Sequence, residues 1–257
     1  MSRSPSPHRP SDDDVANSHL AAPISPSESA PLLGRPGSLT QPPSSPITYN
    51  LLLGTGYLAQ LGLLALLTTI LYAITTHPTL PLVSPHPILQ SFGLIALVQA
   101  ILILQPTFRV EEKAQGQKWH AALQALALAA FAAGVVVIEV NKKVNHMPHW
   151  HSLHGVLGTT AAGLLVLQGL FGLTIWATPR VWGGEERAKG LWKYHRWVGY
   201  AVLFFLLATV ASAAETTYVK KVLEVKLWTV LVAEALILLG VVPRIHSRKL
   251  GIQPRDQ

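Results

Sequence analysis

The chain has 257 residues, of which 49% are apolar and only 13% charged, about half the charged share of an ordinary soluble domain. That balance excludes a water-soluble enzyme and describes a polytopic membrane protein. Cysteine is absent, which excludes disulfides, thiolate metal sites, covalent c-type haem attachment and redox thiols. The formal charge of +7 does not point to nucleic acid, because the basic residues lie in short loops between apolar runs and form no patch with interleaved aromatics.

Residues 1–46 hold ten of the nineteen prolines and many serines without a periodic apolar pattern, and are expected to form a disordered tail. The tail has no apolar core of its own and leads straight into a full-length span, so it does not read as a signal peptide. Ser-Pro pairs at Ser4, Ser6, Ser25 and Ser45 are either phosphorylation sites or chance pairs in a Ser/Pro-rich stretch. Glu28, Leu32 and Leu33 have the spacing of an acidic dileucine sorting signal.

Six long, charge-poor runs follow, at 47–74, 87–105, 119–140, 152–177, 197–214 and 225–242, each long enough to span a bilayer. Short connections make consecutive helices antiparallel neighbours. The expected fold is therefore an all-α membrane protein of six transmembrane helices over residues 47–243, with a short basic tail at 244–257. Fifteen of the twenty Lys and Arg fall on one side: in the N-terminal tail, around Arg109, Lys113 and Lys118, from Arg180 to Arg196, and after Arg244. Lys142, Lys143, Lys220, Lys221 and Lys226 fall on the other. Positive residues stay inside, so both termini are expected in the cytosol.

Spans two to five each open with a histidine: His86, His120, His154 and His195. Because the helices alternate in direction, His86 and His154 start at the non-cytosolic face and His120 and His195 at the cytosolic face. A single histidine at a membrane boundary reads as an interfacial residue. Four in register, paired across alternate helices, read as ligands, and two imidazoles reaching one iron from both sides are how a b-type haem is held without covalent bonds. The helix faces agree. Gly158 and Gly199 lie one turn beyond their histidines, and Ala100, Gly134, Gly172, Thr209 and Ala213 lie near the far ends of the same faces, where small residues would let a macrocycle approach the backbone. The central helices two to five are thus expected to form a four-helix bundle holding two b haems. Glu234, midway along the sixth span, reads either as a neutral acid hydrogen-bonded to a neighbouring helix or as part of a proton path. His77 reads as a loop residue.

Several stretches carry a resemblance: HP at His86 and Pro87, SLHGVLG around His154, QGLFG fourteen residues after it, YHRWVGY around His195, and SRKLGIQP after the sixth span. With them the chain resembles the cytochrome b561 family, in particular a short subgroup without a fused extracellular module, over nearly everything but the tail. The resemblance implies one haem shared by the second- and fourth-helix histidines and another shared by the third- and fifth-helix ones. It also implies electron transfer from cytosolic ascorbate to monodehydroascorbate or a ferric chelate, an endomembrane location, and two copies able to pair as a homodimer in the lipid bilayer. In the family a basic segment after the second helix serves ascorbate; here FRVEEKAQGQKWH offers Arg109, Lys113 and Lys118, with Lys193 and Arg196 on the same face. These residues either attract the anion or only orient the helices. The loop histidines His146, His149 and His151 either bind a metal ion or an ascorbyl oxygen, or are simply solvated. Two other functions stand beside this one: a proton- or metal-ion-coupled transporter using the histidines and Glu234, and a scaffold whose Pro-rich tail binds partners.

Overall fold

A computed structural model describes residues 37–252. Six helices are long and apolar enough to cross a membrane: α1 (Gly56–Thr76), α2 (Pro85–Leu104), α3 (Val110–Val144), α4 (Leu153–Ala177), α5 (Glu185–Ala213) and α6 (Leu227–Val241), with a 3-10 turn carrying the last on to Arg244. All regular structure among the described residues is helical. Ser4, Ser6, Ser25, Glu28, Leu32 and Leu33 lie outside them, and the Ser45 hydroxyl donates to the Pro42 carbonyl at 2.7 Å.

Helix boundaries depart from the apolar runs for local reasons. Ile47–Leu51 is a separate 3-10 turn, and Gly54 takes a φ of +57°, a left-handed conformation that only glycine adopts cheaply, so α1 starts at Gly56. Helices α3 and α5 start well before their apolar runs. Glu111 and Glu112 open α3, and Glu185 and Glu186 open α5, where carboxylates stabilise the unpaired amides of a first turn. Both helices therefore carry an aqueous extension of about two turns or more ahead of their histidines.

The helices pack in three pairs, α2 along α3, α4 along α5, and α1 along α6. The third pair closes at Gly62 and Gly240, where an added side-chain carbon would meet the opposite backbone. Leu94, Leu97 and Val98 of α2, Phe131 of α3, Leu165 of α4 and Leu203 and Leu206 of α5 join Ala233 and Ile237 of α6 in one buried cluster.

The α2–α3 and α4–α5 hairpins repeat each other. His86 and His154 are the second residues of their helices, and His120 and His195 the eleventh of theirs. Unequal loops hide the repeat in the sequence, because a 3-10 turn at Pro179–Trp182 followed by Gly183 and Gly184 at φ +82° and +103° lengthens the second connection. All four helices are continuous over their full lengths, unlike the interrupted helices from which transport sites are commonly built.

The packed structure begins before Ile47 and continues past residue 243. Gly37 and Gln41 donate their backbone amides to the Pro243 and Pro106 carbonyls, each at 2.9 Å. Asn50, fully buried, donates to Gln41 Oε1 at 2.8 Å and to the Ile103 carbonyl at 2.9 Å. Arg244, 2% exposed, donates to the Asn50 and Leu102 carbonyls at 2.7 and 3.0 Å. Residues whose Pro/Ser composition suggests an unstructured tail are thus tied to the ends of α2 and α6.

Candidate functional site

The four helix histidines meet in two pairs. The ring centres of His86 and His154 are 6.1 Å apart with planes at 83°, and those of His120 and His195 are 6.3 Å apart with planes at 79°. Metal–imidazole bonds of about 2 Å on both sides of one ion, with each ring centre about 1 Å behind its nitrogen, place the centres about 6 Å apart. Both pairs match that separation.

Three of the four rings are fixed by hydrogen bonds to main-chain carbonyls. His86 Nδ1 lies 2.9 Å from Gly134 O, His120 Nδ1 2.8 Å from Ala100 O, and His154 Nδ1 3.0 Å from Thr209 O. A carbonyl only accepts, so each Nδ1 carries the proton and donates it, leaving Nε2 with a free lone pair for coordination. Such a partner also fixes ring orientation and raises ligand basicity.

The acceptors follow one rule. Ala100 lies fourteen residues after His86, Gly134 fourteen after His120, and Thr209 fourteen after His195. Fourteen residues are close to four helical turns, about 21 Å, so each helix offers an imidazole near one end and, on the same face, an acceptor for its neighbour's imidazole at the other. Ala100, Gly134 and Thr209 thus serve a neighbouring histidine through their carbonyls, a role distinct from giving a macrocycle room.

His195 is held differently. The residue fourteen after His154 is Gln168, and its side chain, not its carbonyl, meets the ring: Nε2 donates to the His195 carbonyl at 2.6 Å and lies 3.2 Å from Nδ1. Gly172, one turn further along α4, provides the bed for the ring. A Cβ there would come within 2.6 Å of His195 Cε1. Trp192 and Phe171 stand around the same ring, with centres at 5.5 and 6.1 Å. A Cβ on Gly158, one turn beyond His154, would lie 3.8 Å from Thr209 Cγ2, an ordinary contact.

What the pairs could hold follows from donor count. Among the described residues no group of three or more His, Asp or Glu converges on one point, whereas a bare protein-bound ion takes four or more ligands. A macrocycle supplies four nitrogens and needs two axial ones. Two imidazoles per site fit haem, and the absence of cysteine leaves only non-covalent attachment.

The basic candidates lie toward the His120/His195 end. Arg109 caps α3 and lies 3.9 Å from Glu112, Lys113 sits 5.5 Å from the Phe108 ring centre, Lys118 is exposed, and Lys193 lies over Tyr194 at 4.9 Å. The C-terminal turn joins them, which charge counting alone does not reveal. Lys249 Nζ donates to the Gln105 and Thr107 carbonyls at 2.6 and 2.8 Å, and its own carbonyl accepts from Arg196 at 2.8 Å. Burial, then the cations Arg196 and Lys113, push Lys249 down to about 7.

At the other end, His149 Nδ1 lies 3.1 Å from Glu139, which Lys142 also meets at 2.7 Å. His146 and His149 line a shallow depression of about 630 Å³ with Glu139, Lys142 and Lys143. His151 hydrogen-bonds the Pro148 carbonyl at 2.9 Å, and His77 that of Ala73 at 2.8 Å. Glu234 is buried on α6, with its Oε1 left without a hydrogen-bond partner.

Unbroken apolar helices with an imidazole pair at each end define a membrane-embedded b-type cytochrome. The chain belongs to the eukaryotic cytochrome b561 family, whose model matches residues 85–223, the stretch containing both hairpins. It is also similar to the lysosomal membrane ascorbate-dependent ferrireductase CYB561A3 of Bos taurus, with 26% identity over 129 residues covering 49% of this chain and 48% of that protein. The chain thus matches about half the length of this relative.

Proposed function

We propose that the chain holds two b haems, one between His86 and His154 and one between His120 and His195, and passes single electrons across a membrane. The donor is cytosolic ascorbate and the acceptor monodehydroascorbate or a ferric chelate on the opposite face. Haem held by His86 with His154, and by His120 with His195, would supply one-electron chemistry and leave no site for oxygen or substrate at the iron. One observation carries this reading: two imidazole pairs at ligand spacing, 6.1 and 6.3 Å, about 21 Å apart along the helices.

The ends differ in the charge they present. Arg196, Lys113 and the half-buried Lys249 act on one another at the His120/His195 end, a field suited to an anionic reductant and, by the bias of basic residues, to the cytosolic side. The opposite depression, with Glu139, His146 and His149, offers oxygen and nitrogen donors to a ferric chelate. The bovine relative's name places it in the lysosomal membrane, which supports an endomembrane location here.

Proteoliposomes loaded with ascorbate and bathed in a ferric chelate test the proposal. Iron(II) should appear outside as ascorbate is consumed inside, and His120→Ala should abolish the transfer while leaving half the pigment. Fully pigmented protein that passes no electrons would overturn it.

A further inference from the structure

We propose that Gln168 is the positioning residue of His195, its carboxamide clamping both the ring Nδ1–H and the main-chain carbonyl of that histidine. The inference rests on the haem-ligand reading above and deepens it. If His195 coordinates through Nε2, its Nδ1 carries a hydrogen that needs an acceptor, as the other three rings already have. Gln168 occupies the position from which the repeat would supply that acceptor. Its Nε2 is already engaged with His195 O at 2.6 Å and stands 3.2 Å from Nδ1, while its Oε1 is buried without a partner. Two N–H groups cannot satisfy each other, and an orphaned buried carbonyl oxygen is costly. A modest rotation of the carboxamide brings Oε1 onto Nδ1–H and keeps Nε2 near the carbonyl, which satisfies every group at once. The surroundings are cut to this purpose: a Cβ on Gly199 would come within 3.0 Å of Gln168 Nε2, and one on Gly172 within 2.6 Å of the imidazole.

The chemical consequence follows from acceptor strength. A stronger acceptor on Nδ1–H gives the ligand more imidazolate character, which favours ferric iron and lowers the reduction potential; a missing acceptor raises it. Three rings lean on carbonyls that no side-chain substitution removes. The fourth leans on a residue that a single codon can change, so the His120/His195 centre is the one whose potential the sequence can adjust.

Purified holoprotein of Gln168→Glu and Gln168→Leu, titrated potentiometrically and examined by low-temperature EPR, tests this. The carboxylate should shift the reduction equilibrium of one centre about tenfold toward ferric, which is about 59 mV for one electron. The leucine should shift it the other way, and the ferric EPR signal of that centre alone should change. Should Gln168→Leu lose pigment, the glutamate variant decides, because it keeps the shape and an acceptor. Potentials that stay put, or that move equally at both centres, overturn the role of Gln168. His195→Ala separates this from the underlying assignment: full haem content in that variant would sink the ligand reading itself, whereas loss of one centre with unmoved Gln168 potentials would sink only the clamp.

Discussion

At the His86/His154 end both rings rest on main-chain carbonyls, Gly134 O at 2.9 Å and Thr209 O at 3.0 Å. At the His120/His195 end one ring rests on Ala100 O at 2.8 Å, while the other meets the Gln168 side chain, lies on Gly172 and is ringed by Trp192 and Phe171. The same repeated hairpin therefore fixes its histidines in two ways. A carbonyl acceptor is the same whichever residue carries it, although the space around it is not: a Cβ on Gly134 would run into Gln90 Nε2. The second end is specified by side chains and depends on their identity.

The largest test of this difference removes the histidines themselves. His86→Ala or His154→Ala should abolish one spectral component and His120→Ala or His195→Ala the other, each leaving about half the haem by pyridine haemochrome assay; a variant that loses all or none would break the division into two ends. Next in size is a glycine. Gly172→Ala puts a methyl within 2.6 Å of the His195 ring and should lose or distort the His195 centre, seen in haem stoichiometry and EPR, while leaving the other centre intact.

A smaller effect concerns the C-terminal turn, which closes only the His120/His195 end. Lys249 is held down to about 7 by burial first, then by Arg196 of α5 and Lys113 of α3, against the opposing pull of Glu112. Between about pH 7 and the usual lysine range near 10, the undocked side chain holds a proton that the docked one does not. Docking then releases a proton and strengthens as pH rises; below pH 7 both forms are charged and the turn is held least tightly. Because the protein has no native cysteine, a spin label on Ile252→Cys reports this directly. Its mobility should fall from pH 6.5 to 9 and lose that dependence in Lys249→Gln.

The pairing of the histidine rings is legible in the sequence because helix direction alternates and each ring is a side chain. Their anchors are not, since a backbone carbonyl leaves no signature in residue identity. The interval of fourteen shows only once the acceptors are known, and only Gln168, within the QGLFG stretch, marks it with a side chain. Helix extents are misread for a similar reason. Hydropathy sees the membrane, but α3 and α5 continue into water on the capping strength of Glu111, Glu112, Glu185 and Glu186. Composition likewise groups residues 37–46 with the tail, although buried Gln41 and Asn50 and the guanidinium of Arg244 tie them to the bundle.

The four-turn interval between each imidazole and the acceptor it faces across the hairpin also acts as a ruler. One residue inserted into any of these helices would rotate everything beyond it by about 100° and advance it by about 1.5 Å, turning an anchor away from its ring. Bilayers differ in thickness between organelles, yet this protein has no freedom to lengthen its central helices to suit. Any adjustment to a thicker or thinner membrane must come from tilt or from the segments outside the ruler, while the spacing of the two histidine pairs along the helices stays the same wherever the protein resides.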